Sequence, residues 1–238
     1  MVRLSSVDRL FCALDTADLD EALLLAELLS GEVGAIKLGK EFFTAHGPKG
    51  VAKVAEFGHK IFLDLKYHDI PNTVAGAVRA SAKMKCAVLT VHASGGFSML
   101  QAATLAAGEG RHTGPKVLAV TVLTSLDEMD LKAVGQGIPI SDQVQRLARL
   151  AKSAGVQGLV CSPHELKGLK NEFGDSLILV VPGVRIATTS LHDQKRVMTP
   201  GDAVRAGADH VVIGRPITLS DDPVGAVRRI VDEIEENL

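Results

Sequence analysis

The run Phe62–Val74, FLDLKYHDIPNTV, brings Asp64, Lys66 and Asp69 close together in the chain. An ammonium held beside carboxylates can act as a general acid or stabilise a developing negative charge. Side chains two apart on a strand share a face, so Asp64 and Lys66 are expected to project together while Leu63 and Leu65 project the other way. Neither ion belongs unpaired in an apolar layer, because an isolated buried charge is strongly unfavourable. Asp15 ends the run LFCALD, and Lys37 lies near the end of AIKLG. A single Asp/Lys pair would read as a structural ion pair. Four alternating charges from three successive strand-like runs read instead as a catalytic cluster at the mouth of a barrel.

A second group of residues suits a phosphate. Gly214-Arg215-Pro216 closes the last β-rich run and leads into Ile217-Thr218, while Pro182-Gly183-Val184-Arg185 follows the run before it, with Gln194 farther on. Backbone N–H groups and a cation in such loops meet a dianion well. Arg215, directly after a glycine, is the stronger candidate, since Arg185 taken alone reads as a solvated surface charge more often than not. Thr124 ends the run KVLAVTVLT and Ser125 follows it, and hydroxyls there either bond a polar ring or cap the strand. His92, ending AVLTVH, reads as structural before it reads as catalytic. No His/Asp/Glu spacing resembles a metal site, and neither a metal nor any other cofactor is expected.

These residues need a scaffold, and the chain alternates in a way that supplies one. Eight β-rich apolar runs recur: Leu10–Asp15, Ala35–Gly39, Ile61–Lys66, Ala87–His92, Lys116–Thr124, Gly158–Ser162, Leu177–Val181 and His210–Arg215. Strands so continuously apolar suit a parallel sheet covered on both faces. Helical segments separate them. Asp18–Ser30 opens with Asp18 and Glu21 in capping-box spacing, and Ser141–Ala154 puts Val144, Leu147, Ala148 and Ala151 on one face. The phrases EFGHKIFLDL, SAGVQGLVCS and RAGADHVVIG repeat a glycine-containing turn ahead of a strand. The expected fold is α/β, a single (β/α)8 TIM barrel spanning residues 1–238 as one catalytic domain. An open doubly wound sheet would call for a glycine-rich phosphate loop after the first strand, where Asp15-Thr16-Ala17-Asp18 is acidic.

Composition limits the partners. A length of 238 residues with 46% apolar content supports a sizeable core. With a formal net charge of −2, one Tyr, no Trp and seven Phe, the chain has neither the basic patches nor the stacking surface of a nucleic-acid binder. No membrane span and no secretory leader is expected. Cys12, Cys86 and Cys161 are odd in number and lack metal-ligand spacing, so they read as reduced thiols of a cytoplasmic protein.

Segment by segment, the chain resembles the orotidine 5′-phosphate decarboxylase family. FLDLKYHDIPNTV resembles that family's signature, whose core is Asp-x-Lys-x-x-Asp. LFCALD, AIKLGKEFF and TVLTS are similar to its first, second and fifth strands, and VVPGVR, DQKRVMTP and GADHVVIGRPIT to its final third. Ile186 departs from the pattern, which has Pro after the arginine. The resemblance implies decarboxylation of orotidine 5′-phosphate to uridine 5′-phosphate. Lys66 would protonate C6 of the pyrimidine, and Asp64 would lie beside the substrate carboxylate. Lys37 would link Asp64 to the ribose hydroxyls, and Asp15 would bind ribose. It further implies a homodimer with active sites shared across the interface. There Asp69 would serve the neighbouring subunit's site, with Thr73 from the same loop near the phosphate. Thr124 would read the pyrimidine edge. Arg185, Gln194, Gly214 and Arg215 would hold the phosphate region, under a lid formed by Ile186–Gln194. The residues alone leave other readings open: a sugar-phosphate decarboxylase or epimerase, a Schiff-base aldolase using Lys66 or Lys37, and a non-catalytic sensor of a phosphorylated ligand.

Overall fold

A computed structural model describes residues 4–109, 114–185 and 198–238. Its eight strands are β1 (Leu10–Leu14), β2 (Ala35–Gly39), β3 (Ile61–Tyr67), β4 (Val88–His92), β5 (Lys116–Val120), β6 (Gly158–Val160), β7 (Ile178–Pro182) and β8 (His210–Ile213). They close into a barrel in the order β1 to β8, and helices alternate with them, which makes the (β/α)8 architecture expected from the sequence. Every residue of β1 and β2 is buried, as strands covered on both faces require.

By contacts the chain divides into two compact units, residues 1–61 with 181–238 and residues 62–180. In the first, β1 pairs in parallel with β2, Phe11 opposite Ala35 through Leu14 opposite Leu38, and with β8, Leu10 opposite Val211. Helix α1 (Leu19–Leu28) is capped by Asp18, whose side chain accepts from the Glu21 N–H. The expected capping box forms only half-way. Glu21 Oε2 takes the Thr16 hydroxyl at 2.6 Å, and Thr16 Oγ1 in turn accepts the Asp18 N–H at 3.1 Å. Helix α2 (Lys40–Ala55) follows β2.

In the second unit, β3 pairs with β4, β4 with β5, β5 with β6 and β6 with β7, all in parallel. Helix α3 (Pro71–Lys83) packs on α4 (Phe97–Gly108). After β5 come the short α5 (Glu128–Ala133), α6 (Ile140–Ser153) and α7 (Leu166–Phe173). Helix α6 buries Val144, Leu147, Ala148 and Ala151, the face its sequence marks. The first unit ends with α8 (Pro200–Arg205), α9 (Arg215–Thr218) and α10 (Pro223–Glu235). All three cysteines are buried free thiols. Among the described residues no helix is long and apolar enough to cross a membrane.

Candidate active site

Two Lys–Asp pairs stand at the carboxyl ends of the first three strands. In the first unit Lys37 Nζ lies 2.7 Å from Asp15 Oδ1. Lys37 is on β2, register-matched to Ala13 of β1, and Asp15 is the first residue past β1. Gly39 makes room for the pair: a Cβ there would lie 3.0 Å from Asp15 Oδ1 and 3.1 Å from Lys37 Nζ. A methyl group would press on both ions. Burial, with Asp15 adding to it, pushes the nearby Cys12 thiol up to about 12 against the opposing effect of Lys37, so that thiol is inert.

The second pair lies within β3. Lys66 Nζ is 2.6 Å from Asp64 Oδ2, as the shared-face argument requires, but simple alternation does not bring it about. The β3–β4 register runs Leu63 opposite Leu89 and then Tyr67 opposite Val91, so Asp64, Leu65 and Lys66 form a bulge facing the single residue Thr90. At that bulge Lys66 takes φ 53, a left-handed conformation that costs a non-glycine residue about 1–2 kcal/mol. The strain sits at the residue with the strongest claim to chemistry. Thr90 is fully buried and bonds both neighbours: its hydroxyl donates to Asp64 Oδ1 at 2.9 Å and accepts the Lys66 N–H at 2.9 Å. Sequence reasoning passed over Thr90 and Gly39, the first because threonine is an ordinary strand former in an apolar run.

Other expected site residues are distributed as follows. Asp69 is exposed and turns back on its own loop, Oδ1 accepting the Ile70 N–H at 2.6 Å. Among the described residues it forms no ion pair with Lys66. Pro71, Asn72 and Thr73, read as loop, form the first turn of α3, because a proline at N1 sacrifices no helical donor. Thr73 is exposed there. The fifth strand stops at Val120, so Thr124 and Ser125 lie exposed in the connection beyond it. The eighth stops at Ile213. Gly214 then caps α9 and Arg215 opens that helix, exposed, in place of ending the strand. The backbone N–H of Arg185 donates to the Met198 carbonyl at 3.2 Å, and its side chain is exposed. Gln194 and the proposed lid, from Ile186 on, lie outside the described residues. His92 sits at the end of β4 with its ring 5.6 Å from that of His68. Among the described residues no group of three or more His, Cys, Asp or Glu is arranged to hold a metal ion.

Known proteins share this arrangement of sequence and fold. The model of the orotidine 5′-phosphate decarboxylase / HUMPS family matches residues 8–230. The orotidine 5′-phosphate decarboxylase of Moorella thermoacetica is 48% identical over 240 residues, covering 99% of this chain and 95% of its own. The one from Rhodospirillum rubrum is 51% identical over 229 residues, covering 94% and 93%. The crystal structure of orotidine 5′-phosphate decarboxylase from Lactobacillus acidophilus superposes with a TM-score of 0.83 at 38% identity, covering 94% of this chain and 98% of that one.

Proposed function

The chain belongs to the orotidine 5′-phosphate decarboxylase / HUMPS family, and from that premise we propose that it is a carboxy-lyase, one catalytic domain, converting orotidine 5′-phosphate to uridine 5′-phosphate in pyrimidine biosynthesis. As the bond from C6 to the carboxylate breaks, its electron pair stays on C6, carbon dioxide leaves, and a proton from Lys66 Nζ forms the new C6–H bond. The pair on C6 has no neighbouring carbonyl to delocalise it, so the ammonium supplies both the compensating charge and the proton. Asp64 stands beside the substrate carboxylate, and their repulsion falls as neutral carbon dioxide departs, which favours the transition state over bound substrate. Asp15, held by Lys37, accepts from the ribose hydroxyls. Arg215 with Gly214, Arg185, Gln194 and Thr73 holds the phosphate, and Thr124 meets the pyrimidine edge. No step calls for a cofactor.

The observation that carries this reading is the 2.6 Å contact between Lys66 and Asp64. An acid with a carboxylate at its side is what this carbanion chemistry needs and what a ligand sensor does not. Loss of orotidine 5′-phosphate absorbance, followed with a chelator present, tests it. Turnover is expected to persist under chelation, and a preparation that forms no uridine 5′-phosphate overturns the reading.

The enzyme acts as a homodimer in the cytoplasm, each site taking Lys66 from one subunit and Asp69 from the other. The exposed Asp69 and the exposed Ile70 beside it support the shared site, and three free thiols suit a reducing compartment. Lys66→Ala and Asp69→Ala homodimers should each be nearly inactive. Random exchange makes about half the dimers mixed, each with one intact site, so activity should recover to about a quarter of wild type. No recovery under demonstrated exchange means that Asp69 serves its own subunit.

A further inference from the structure

We propose that Thr90 is a positioning residue for this decarboxylation, fixing Asp64 and Lys66 through a single hydroxyl; the inference rests on the functional reading above. Three residues of β3 face one residue of β4 at the bulge, so the Lys66 N–H turns to a side chain, Thr90 Oγ1 at 2.9 Å. A hydroxyl has one proton. Because the Thr90 proton goes to Asp64 Oδ1 at 2.9 Å, an oxygen lone pair is left for Lys66, and each bond orients the other. Asp64 Oδ2 then meets Lys66 Nζ at 2.6 Å, which closes a ring through backbone, hydroxyl, carboxylate and ammonium.

Thr90 is 0% exposed, so water has no access to stand in for its hydroxyl. Its β-branched side chain holds χ1 stiffly. The ring controls two quantities at once: the direction in which the Asp64 carboxylate faces, and the backbone conformation that aims Lys66. Thr90 touches no reacting atom in this arrangement and acts through those two neighbours.

Valine preserves the shape of threonine and removes the hydroxyl, whereas serine preserves the hydroxyl and removes a methyl group. Thr90→Val should lower kcat roughly tenfold to a hundredfold while KM stays within about threefold, since the lost bonds aim the acid and do not hold the substrate. Thr90→Ser should keep both constants within about threefold of wild type. Independently of any turnover, hydrogen exchange at the Lys66 amide should quicken at least about tenfold in Thr90→Val, with the Val120 amide unchanged. Thr90→Val at wild-type kcat, Thr90→Ser as impaired as Thr90→Val, or unaltered Lys66 exchange each overturns the proposal. If valine prevents folding, Thr90→Ala against Thr90→Ser decides by the same criteria. A wild-type chain that fails to decarboxylate orotidine 5′-phosphate overturns the functional reading, and the Lys66 exchange measurement then decides the role of Thr90 alone.

Discussion

The two Lys–Asp pairs are of nearly equal length and are wired in opposite senses. In the Asp15–Lys37 pair the cation is the hidden member, its side chain 10% exposed against 56% for the carboxylate. In the Asp64–Lys66 pair the carboxylate is hidden, 11% exposed against 24% for the ammonium. The buried member of each pair is held in place, and the other is the more exposed. The first pair therefore presents an acceptor, which suits hydroxyl groups, and the second presents a donor, which suits proton delivery. Residue type is the same in both, and burial sets which member is presented.

The strongest way to break this comparison is to remove the presented ammonium. Lys66→Ala should cut decarboxylation by on the order of 10²–10⁴, the range of general acid catalysis, while calorimetric binding of uridine 5′-phosphate largely survives. Activity within about tenfold of wild type, roughly 1.4 kcal/mol of barrier, would sink the acid role.

Next in size is the proposed phosphate site. Arg215→Ala should lower kcat/KM for orotidine 5′-phosphate roughly tenfold to a hundredfold, the value of a charge-assisted bond, and barely change the poor turnover of the nucleoside orotidine. Equal losses on both substrates would make Arg215 a structural residue of α9.

A smaller effect tests the first pair directly. Asp15→Asn keeps the shape and removes the charge, so KM should rise about tenfold with kcat within a few-fold. A collapse of kcat comparable to that of Lys66→Ala would mean that exposure does not separate binding from chemistry in these pairs.

Much of this was legible in the chain because strands buried on both faces read as unbroken apolar runs, and all eight are present. Their carboxyl ends were legible only in part: β2 and β4 stop where their runs stop, at Gly39 and His92, but β5 and β8 stop short of theirs. Val122 and Leu123 continue the apolar run of β5, yet the ladder stops at Val120, since pairing depends on a neighbour that local pattern does not contain. Arg215 reads as a strand end until the geometry at Gly214 starts a helix there. The shared face of Asp64 and Lys66 follows from alternation on paper and from a bulge in the molecule. Only the β4 register reveals the bulge, and with it the reason for Thr90. Asp69 shows the limit of a single chain, because the role expected of it requires a second subunit.

A third acidic group, Glu165, sharpens the comparison because a backbone N–H takes the place of a cation at its carboxylate. It lies in the turn between β6 and α7, where Oε2 accepts the Ser162 N–H at 2.6 Å in a capping box. Burial pushes its carboxyl up from 4.5 to about 7, with the Ser162 bond pulling only partly the other way. The folded state thus favours the protonated acid. The associated stability is fully present below 4.5 and is lost as pH rises through about 7. Glu165→Gln keeps an acceptor for Ser162 and removes the titration. Wild type should therefore lose about 1–3 kcal/mol relative to this variant between pH 5 and pH 8, or about 2–8 °C in relative Tm, measured by thermal unfolding at both values. Decarboxylation at pH 7 should be unchanged, since Glu165 belongs to neither presented pair. If the two proteins keep a constant Tm difference across that range, Glu165 is ionised throughout.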